Sequence, residues 1–124
     1  MLRWTFLFVL GCANGPLMSP GDDCGSCHRR FTVSGTVYPH PDSLADFGLD
    51  GALVLITDAD GKSTAALSNG AGNFYSEEPL RFPLSVAVQQ GEEVRKMGPL
   101  VESGSCNTCH TIPASGSAAG RIHF

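Results

Sequence analysis

Gly51-Ala52-Leu53-Val54-Leu55-Ile56-Thr57-Asp58-Ala59-Asp60-Gly61-Lys62-Ser63-Thr64-Ala65-Ala66-Leu67-Ser68 is the stretch that decides the fold. A short apolar run with β-branched residues reaches a cluster of Asp and Gly, and a second short run leaves it. The first run reads as a strand over residues 52–57 and the second as a strand over 63–68. Asp58 to Gly61 supplies the side chains that a tight hairpin turn requires. Two other motifs overlap this turn and both fail. Gly61-Lys62-Ser63 resembles the tail of a phosphate-binding loop, but the pattern needs Gly where this chain has Ile56. Asp58-x-Asp60 resembles the start of a calcium loop, but Lys62 and Asn69 stand at its third and last ligand positions.

Working outward, the same period of two recurs. Phe31, Val33, Gly35 and Val37 alternate with Thr32, Ser34, Thr36 and Tyr38, the pattern of a half-buried strand. Residues 43–50 suggest a short helical turn with Leu44 and Phe47 on one face. After the hairpin, Asn69-Gly70-Ala71-Gly72 makes a turn and residues 73–76 a short strand. Leu84, Val86 and Val88 alternate with Ser85, Ala87 and Gln89, and residues 93–97 give a last strand with Val94 expected to face inward. No apolar pattern persists for three helical turns, so the chain is expected to be all-β, a small antiparallel β-sandwich.

The runs Val33-Ser34-Gly35-Thr36-Val37, Gly51 to Lys62 and Ser68-Asn69-Gly70-Ala71-Gly72-Asn73-Phe74-Tyr75 together resemble the carboxypeptidase regulatory-like domains. The resemblance covers residues 31–97 and implies a transthyretin-like, Ig-like sandwich that serves as a scaffold without catalytic residues. Leu80 to Leu84 departs from the family's usual turn.

Outside that scaffold the ends of the chain repeat one motif, Cys24-Gly25-Ser26-Cys27-His28 and Cys106-Asn107-Thr108-Cys109-His110. In an exported protein Cys-x-x-Cys-His reads as a c-type haem attachment site. The spacing suits the chemistry: two thiols bond one edge of a porphyrin, and the adjoining imidazole reaches the iron from a face. The expectation is therefore two covalently attached haem c groups, held through Cys24, Cys27, Cys106 and Cys109. His28 and His110 would be the first axial ligands.

Two histidines remain, and two axial positions. His40, fixed between Pro39 and Pro41, lies 12 residues beyond His28, and His123 lies 13 beyond His110. Four histidines balance the four axial positions of two irons, which predicts bis-histidine coordination. Own-segment and crossed pairings are both allowed. Met97 is a rival ligand that would raise the potential. Arg29, Arg30 and Arg121 are near these histidines in sequence and suit haem propionates, because guanidinium pairs with carboxylate through two bonds. The residues after the second motif carry no strand or helix pattern and read as a segment that wraps a cofactor.

Among 124 residues, 15 glycines and 8 prolines leave room for one small core, which covalently held cofactors would supplement. A net charge of −4 argues against binding nucleic acid by phosphate neutralisation. Residues 1–11 read as a signal peptide, with Arg3 ahead of a short apolar run. Val9-Leu10-Gly11-Cys12 resembles a lipobox, which makes Cys12 the lipidation site and residues 12–23 a tether. The organisation is then tether, first haem-binding segment (24–30), sandwich (31–97) and second haem-binding segment (98–124). These features together predict a lipid-anchored dihaem cytochrome of the bacterial periplasm or outer membrane. It would be an electron carrier rather than a catalyst, exchanging electrons with envelope redox proteins and self-associating with other haem proteins. The rival readings are a haem protein with one open iron, suited to sensing or peroxidase chemistry, and a non-haem module whose four motif cysteines hold a structural metal. A thiol oxidoreductase would need its Cys-x-x-Cys at the start of a helix in an α/β pattern, which is absent.

Overall fold

The computed structural model describes residues 18–24, 28, 30–110 and 120–124. The signal peptide, Cys12, Cys27, Arg29 and much of the tether lie outside the described residues. Among the described residues, seven strands make two sheets. They are β1 (Val33–Tyr38), β2 (Leu53–Thr57), β3 (Ser63–Leu67), β4 (Asn73–Ser76), β5 (Ser85–Gln90), β6 (Glu93–Lys96) and β7 (Ile122–His123). One sheet runs β4-β1-β7 and the other β3-β2-β5-β6. The protein is thus all-β and sandwich-like, as the alternating pattern predicts. Among the described residues no helix is long and apolar enough to cross a membrane.

The deciding stretch forms the β2–β3 hairpin, with Thr57 opposite Ser63 and Leu53 opposite Leu67. Asp58 closes its turn. One carboxylate oxygen accepts the backbone N–H groups of Asp60 (2.9 Å) and Lys62 (2.8 Å), and the other accepts that of Arg81 (3.1 Å). These contacts hold the Asp58 carboxyl below its ordinary value, the Arg81 N–H contributing most. The aspartate is turn chemistry, as the broken calcium pattern implies.

Inward residues of both sheets fill the core. Val54 and Ile56 of β2, Ala66 of β3 and Val88 of β5 meet Val33 and Val37 of β1 and Phe74 of β4. Leu84, buried just before β5, pairs with Val101 through two backbone hydrogen bonds of 2.7 and 2.8 Å. Each large buried side chain of this kind contributes about 1.5–3 kcal/mol relative to exposure.

Four expectations require correction. The expected helical turn at residues 43–50 is a set of turns, and Leu44 and Phe47 stand 69% and 63% exposed. Val94 is 55% exposed, because β6 is an edge strand exposed along its length, with Glu93, Arg95 and Lys96 discouraging further strand pairing. The tail after the second motif does include a strand, the two-residue β7, which pairs in parallel with β1. Finally, β1 is not half-buried: all six of its residues are buried. Its polar Ser34 and Thr36 are covered by the segments that carry the two Cys-x-x-Cys-His motifs.

Candidate functional site

The two motifs share one backbone contact. The His28 backbone N–H donates to the Cys24 carbonyl at 2.9 Å, and the His110 N–H donates to the Cys106 carbonyl at 3.0 Å. At the second, the turn this contact closes brings Cys106, Cys109 and His110 round one surface. In the second motif the turn is a 3-10 segment at Cys106–Thr108. Thr108 steadies it by donating its hydroxyl to the Ser105 carbonyl at 2.7 Å.

The free edge of β1 positions the second motif and the end of the chain in one line. Ser34 bridges Ser105, and the Ser34 N–H donates to the Gly104 carbonyl at 2.9 Å. The Thr36 N–H then donates to the Asn107 side-chain oxygen at 3.1 Å. Further along, Val37 pairs with Ile122 and Tyr38 with His123. The same edge therefore holds Ser105 and Asn107 of the second motif together with Ile122 and His123. The pairing points of Ser105 and His123 are roughly 13 Å apart along the strand, at ~3.3 Å per residue.

Beside this line lies a cavity of about 730 Å³ with mainly apolar walls. Cys106, Cys109, His110, Arg121 and His123 all line it, with Met97 and with Arg95 and Lys96 of β6. That volume is within the usual ~300–1,000 Å³ of sites for organic ligands and cofactors. The two histidines share one feature. His110 Nδ1 stands 2.8 Å from the Gly120 carbonyl oxygen, and His123 Nδ1 stands 2.7 Å from that of Arg121. A carbonyl only accepts, so Nδ1 carries the proton in each neutral ring and Nε2 keeps its lone pair. Metal-binding histidines are held in this way by a carbonyl on the second nitrogen.

The first motif is adjacent. Cys24 Sγ donates to the Asp22 carbonyl at 3.6 Å, and the Gly21 N–H donates to Thr36 Oγ1 at 2.9 Å. The His28 ring stacks on Phe31 with centroids 4.5 Å apart, and Phe31 stacks on Tyr75 at 4.4 Å, both with an interplanar angle of 14°. His28 Nε2 is buried without a hydrogen-bond partner, the one such side-chain atom among the described residues. An orphaned buried polar atom costs about 1–3 kcal/mol, which a bound metal would recover. The residues at the second motif thus fit a haem, with paired thiols and two imidazoles at one cavity; at the first, Cys27 lies outside the described residues.

Burial pushes the Cys106 thiol up to about 12, with the nearby Cys24 as the next cause. The Cys24 thiol is raised as well, again mainly by burial. Thiol exchange needs a thiolate, so these environments disfavour an oxidoreductase of that class. Among the described residues no three His, Cys, Asp or Glu side chains gather as a metal cluster.

Other sequence candidates stand apart. His40 is exposed in the turn after β1, where its N–H donates to Ser43 Oγ at 3.1 Å, and it does not line the cavity. Arg30 is exposed and also outside it. Arg121 lines the cavity but is committed elsewhere: its guanidinium lies 4.4 Å over the Tyr38 ring and Nε donates to the Ser43 carbonyl at 2.8 Å. Arg95 and Lys96 were not among the sequence candidates. Their adjacency to Met97 was the only available signal. Asn107 occupies a motif position that the pattern leaves free, so nothing in the sequence marked it. The chain matches no protein-family model, no curated protein and no solved structure in the comparisons made.

Proposed function

We propose that this chain is a dihaem c-type cytochrome that transfers single electrons in the bacterial cell envelope. The observation that carries the reading is the meeting of His110 and His123 at one cavity with Cys106 and Cys109, each imidazole held by a backbone carbonyl through Nδ1. Own-segment pairing of His110 with His123 is favoured because both line one cavity. Haem iron, when bound, supplies one-electron redox chemistry. The chain's residues orient it, exclude water through apolar walls and tune its potential. Arg95 and Lys96 supply positive charge for the propionates.

The scaffold is read as a transthyretin-like domain, and Cys12 as the site of a lipid anchor at the periplasmic or outer membrane. Encounters with redox partner proteins would be small and transient, burying less than ~1,200 Å². A second reading applies to the first motif. Because His40 is exposed and outside the cavity, the iron held by His28 would have an open position suited to ligand sensing or peroxide chemistry.

Visible spectroscopy with pyridine haemochrome quantification tests the proposal. Two c-type haems per chain, low-spin and without a thioether-to-iron band at long wavelength, are expected. Carbon monoxide binding to the reduced protein without ligand loss would establish the open site instead. Absence of haem absorbance would overturn the reading and favour the four-cysteine metal module.

A further inference from the structure

The two motifs are far apart in sequence and share one mount. Asn107, within the second motif, is 3% exposed and engages both its side-chain amide protons and its oxygen. Its Nδ2 donates to the Asp22 carbonyl at 2.8 Å and to Thr36 Oγ1 at 2.9 Å, while its oxygen accepts the Thr36 N–H at 3.1 Å. Asp22 stands two residues before Cys24, so this one side chain ties the two attachment segments together. Thr36 repeats the arrangement: its Oγ1 accepts the N–H of Gly21, ahead of the first segment, at 2.9 Å, and its N–H donates to the Asn107 side-chain oxygen of the second at 3.1 Å.

We propose that β1 and Asn107 hold the two haem attachment sites side by side, so that the haems form one electronically coupled pair rather than two separate centres. The inference rests on the dihaem reading. The link from sulfur to porphyrin is short: each thioether joins the ring edge through a single carbon. Attachment segments tied together between Asn107 and Asp22 would therefore bring the two ring edges near one another. At such separation in a partly buried site, charge on one iron is felt at the other. The first electron makes the second harder to add, and the two irons titrate with macroscopic values that belong to the pair.

The test is a redox titration of the holoprotein followed by visible absorption, with electron paramagnetic resonance of the fully oxidised and half-reduced states. Haem content is measured first. Single-haem variants are Cys24→Ala with Cys27→Ala, and Cys106→Ala with Cys109→Ala. The expected wild-type curve is wider than the sum of the two single-haem curves, with its second step shifted to lower potential than either. The oxidised wild-type resonance is expected to be broadened, and to sharpen at half reduction. Two haems with additive curves and resonances would overturn the pairing while leaving the dihaem function intact. Fewer than two haems would overturn the function on which it rests. If the cysteine variants fail to fold, the wild-type resonance alone decides, because an unchanged line shape at half reduction excludes coupling.

Discussion

Gly35 of β1 lies directly against Cys106: a methyl group on the glycine would stand 3.0 Å from the Cys106 Cβ and 2.8 Å from the Phe74 ring. The scaffold core and the second attachment motif therefore meet at a residue with no side chain. Gly35→Ala would force Phe74 or the Cys106 turn outward, a small-to-large change of the kind that costs about 1–3 kcal/mol. The expected result is a lower denaturation midpoint in urea with reduced haem occupancy at the second motif. An unchanged midpoint would contradict this packing.

The same contact explains which parts of the molecule could be read from sequence. The β2–β3 hairpin was legible because Val54 and Ile56 alternate with partly exposed neighbours and Asp58 ends the strand with its own turn. Those are local signals. The full burial of β1 was not legible, since Ser34 and Thr36 look like a solvated face until Ser105 and Asn107 arrive from more than 70 residues away. β7 is two residues long, too short for any period, and exists through its pairing with Val37 and Tyr38. At the site, the cysteine motifs and His123 were visible through spacing alone. The division between His123, at the cavity, and exposed His40 was not, because both follow a motif histidine at nearly the same interval.

That division leads to a prediction for the axial ligands. His123→Ala should convert about half of the low-spin absorbance to high-spin and create one carbon monoxide site per chain, with both haems still covalently attached. His40→Ala should change the spectrum little if the first iron is already open. Identical spectra for wild type and His123→Ala would remove His123 from coordination.

Asp58 provides the pH dependence. Its folded-state value lies below the ordinary 3.8 because backbone N–H groups, that of Arg81 foremost, bind the charged form. A depressed carboxyl contributes stability that is present above the ordinary value and is lost as pH falls through the folded one. Urea unfolding from pH 5 downward should therefore show stability decreasing below about pH 4. Asp58→Asn should flatten that decrease, since an amide does not titrate in this range. Equal acid slopes for both proteins would show that the three hydrogen bonds carry no linkage.

The column of rings at the first motif gives a prediction that separates packing from ligand orientation. His28, Phe31 and Tyr75 are nearly parallel, and Phe31 alone touches both neighbours. Aromatic pairs contribute about 0.5–1.5 kcal/mol each beyond area burial. Phe31→Leu retains an apolar side chain but removes both pairs, so it should cost about 1–3 kcal/mol by the same measure. Tyr75 is 59% exposed and holds only the outer contact, so Tyr75→Leu should cost the smaller part of that loss. Loss of stability alone would be a packing result. If Phe31 also fixes the plane of the His28 imidazole, Phe31→Leu should shift the electron paramagnetic resonance g-values of the haem at the first motif, measured in the variant lacking Cys106 and Cys109. Tyr75→Leu should leave them nearly unchanged, because Phe31 still covers the imidazole. A stability loss with no shift in g-values would assign Phe31 to packing and leave the orientation of His28 to the Cys24 turn.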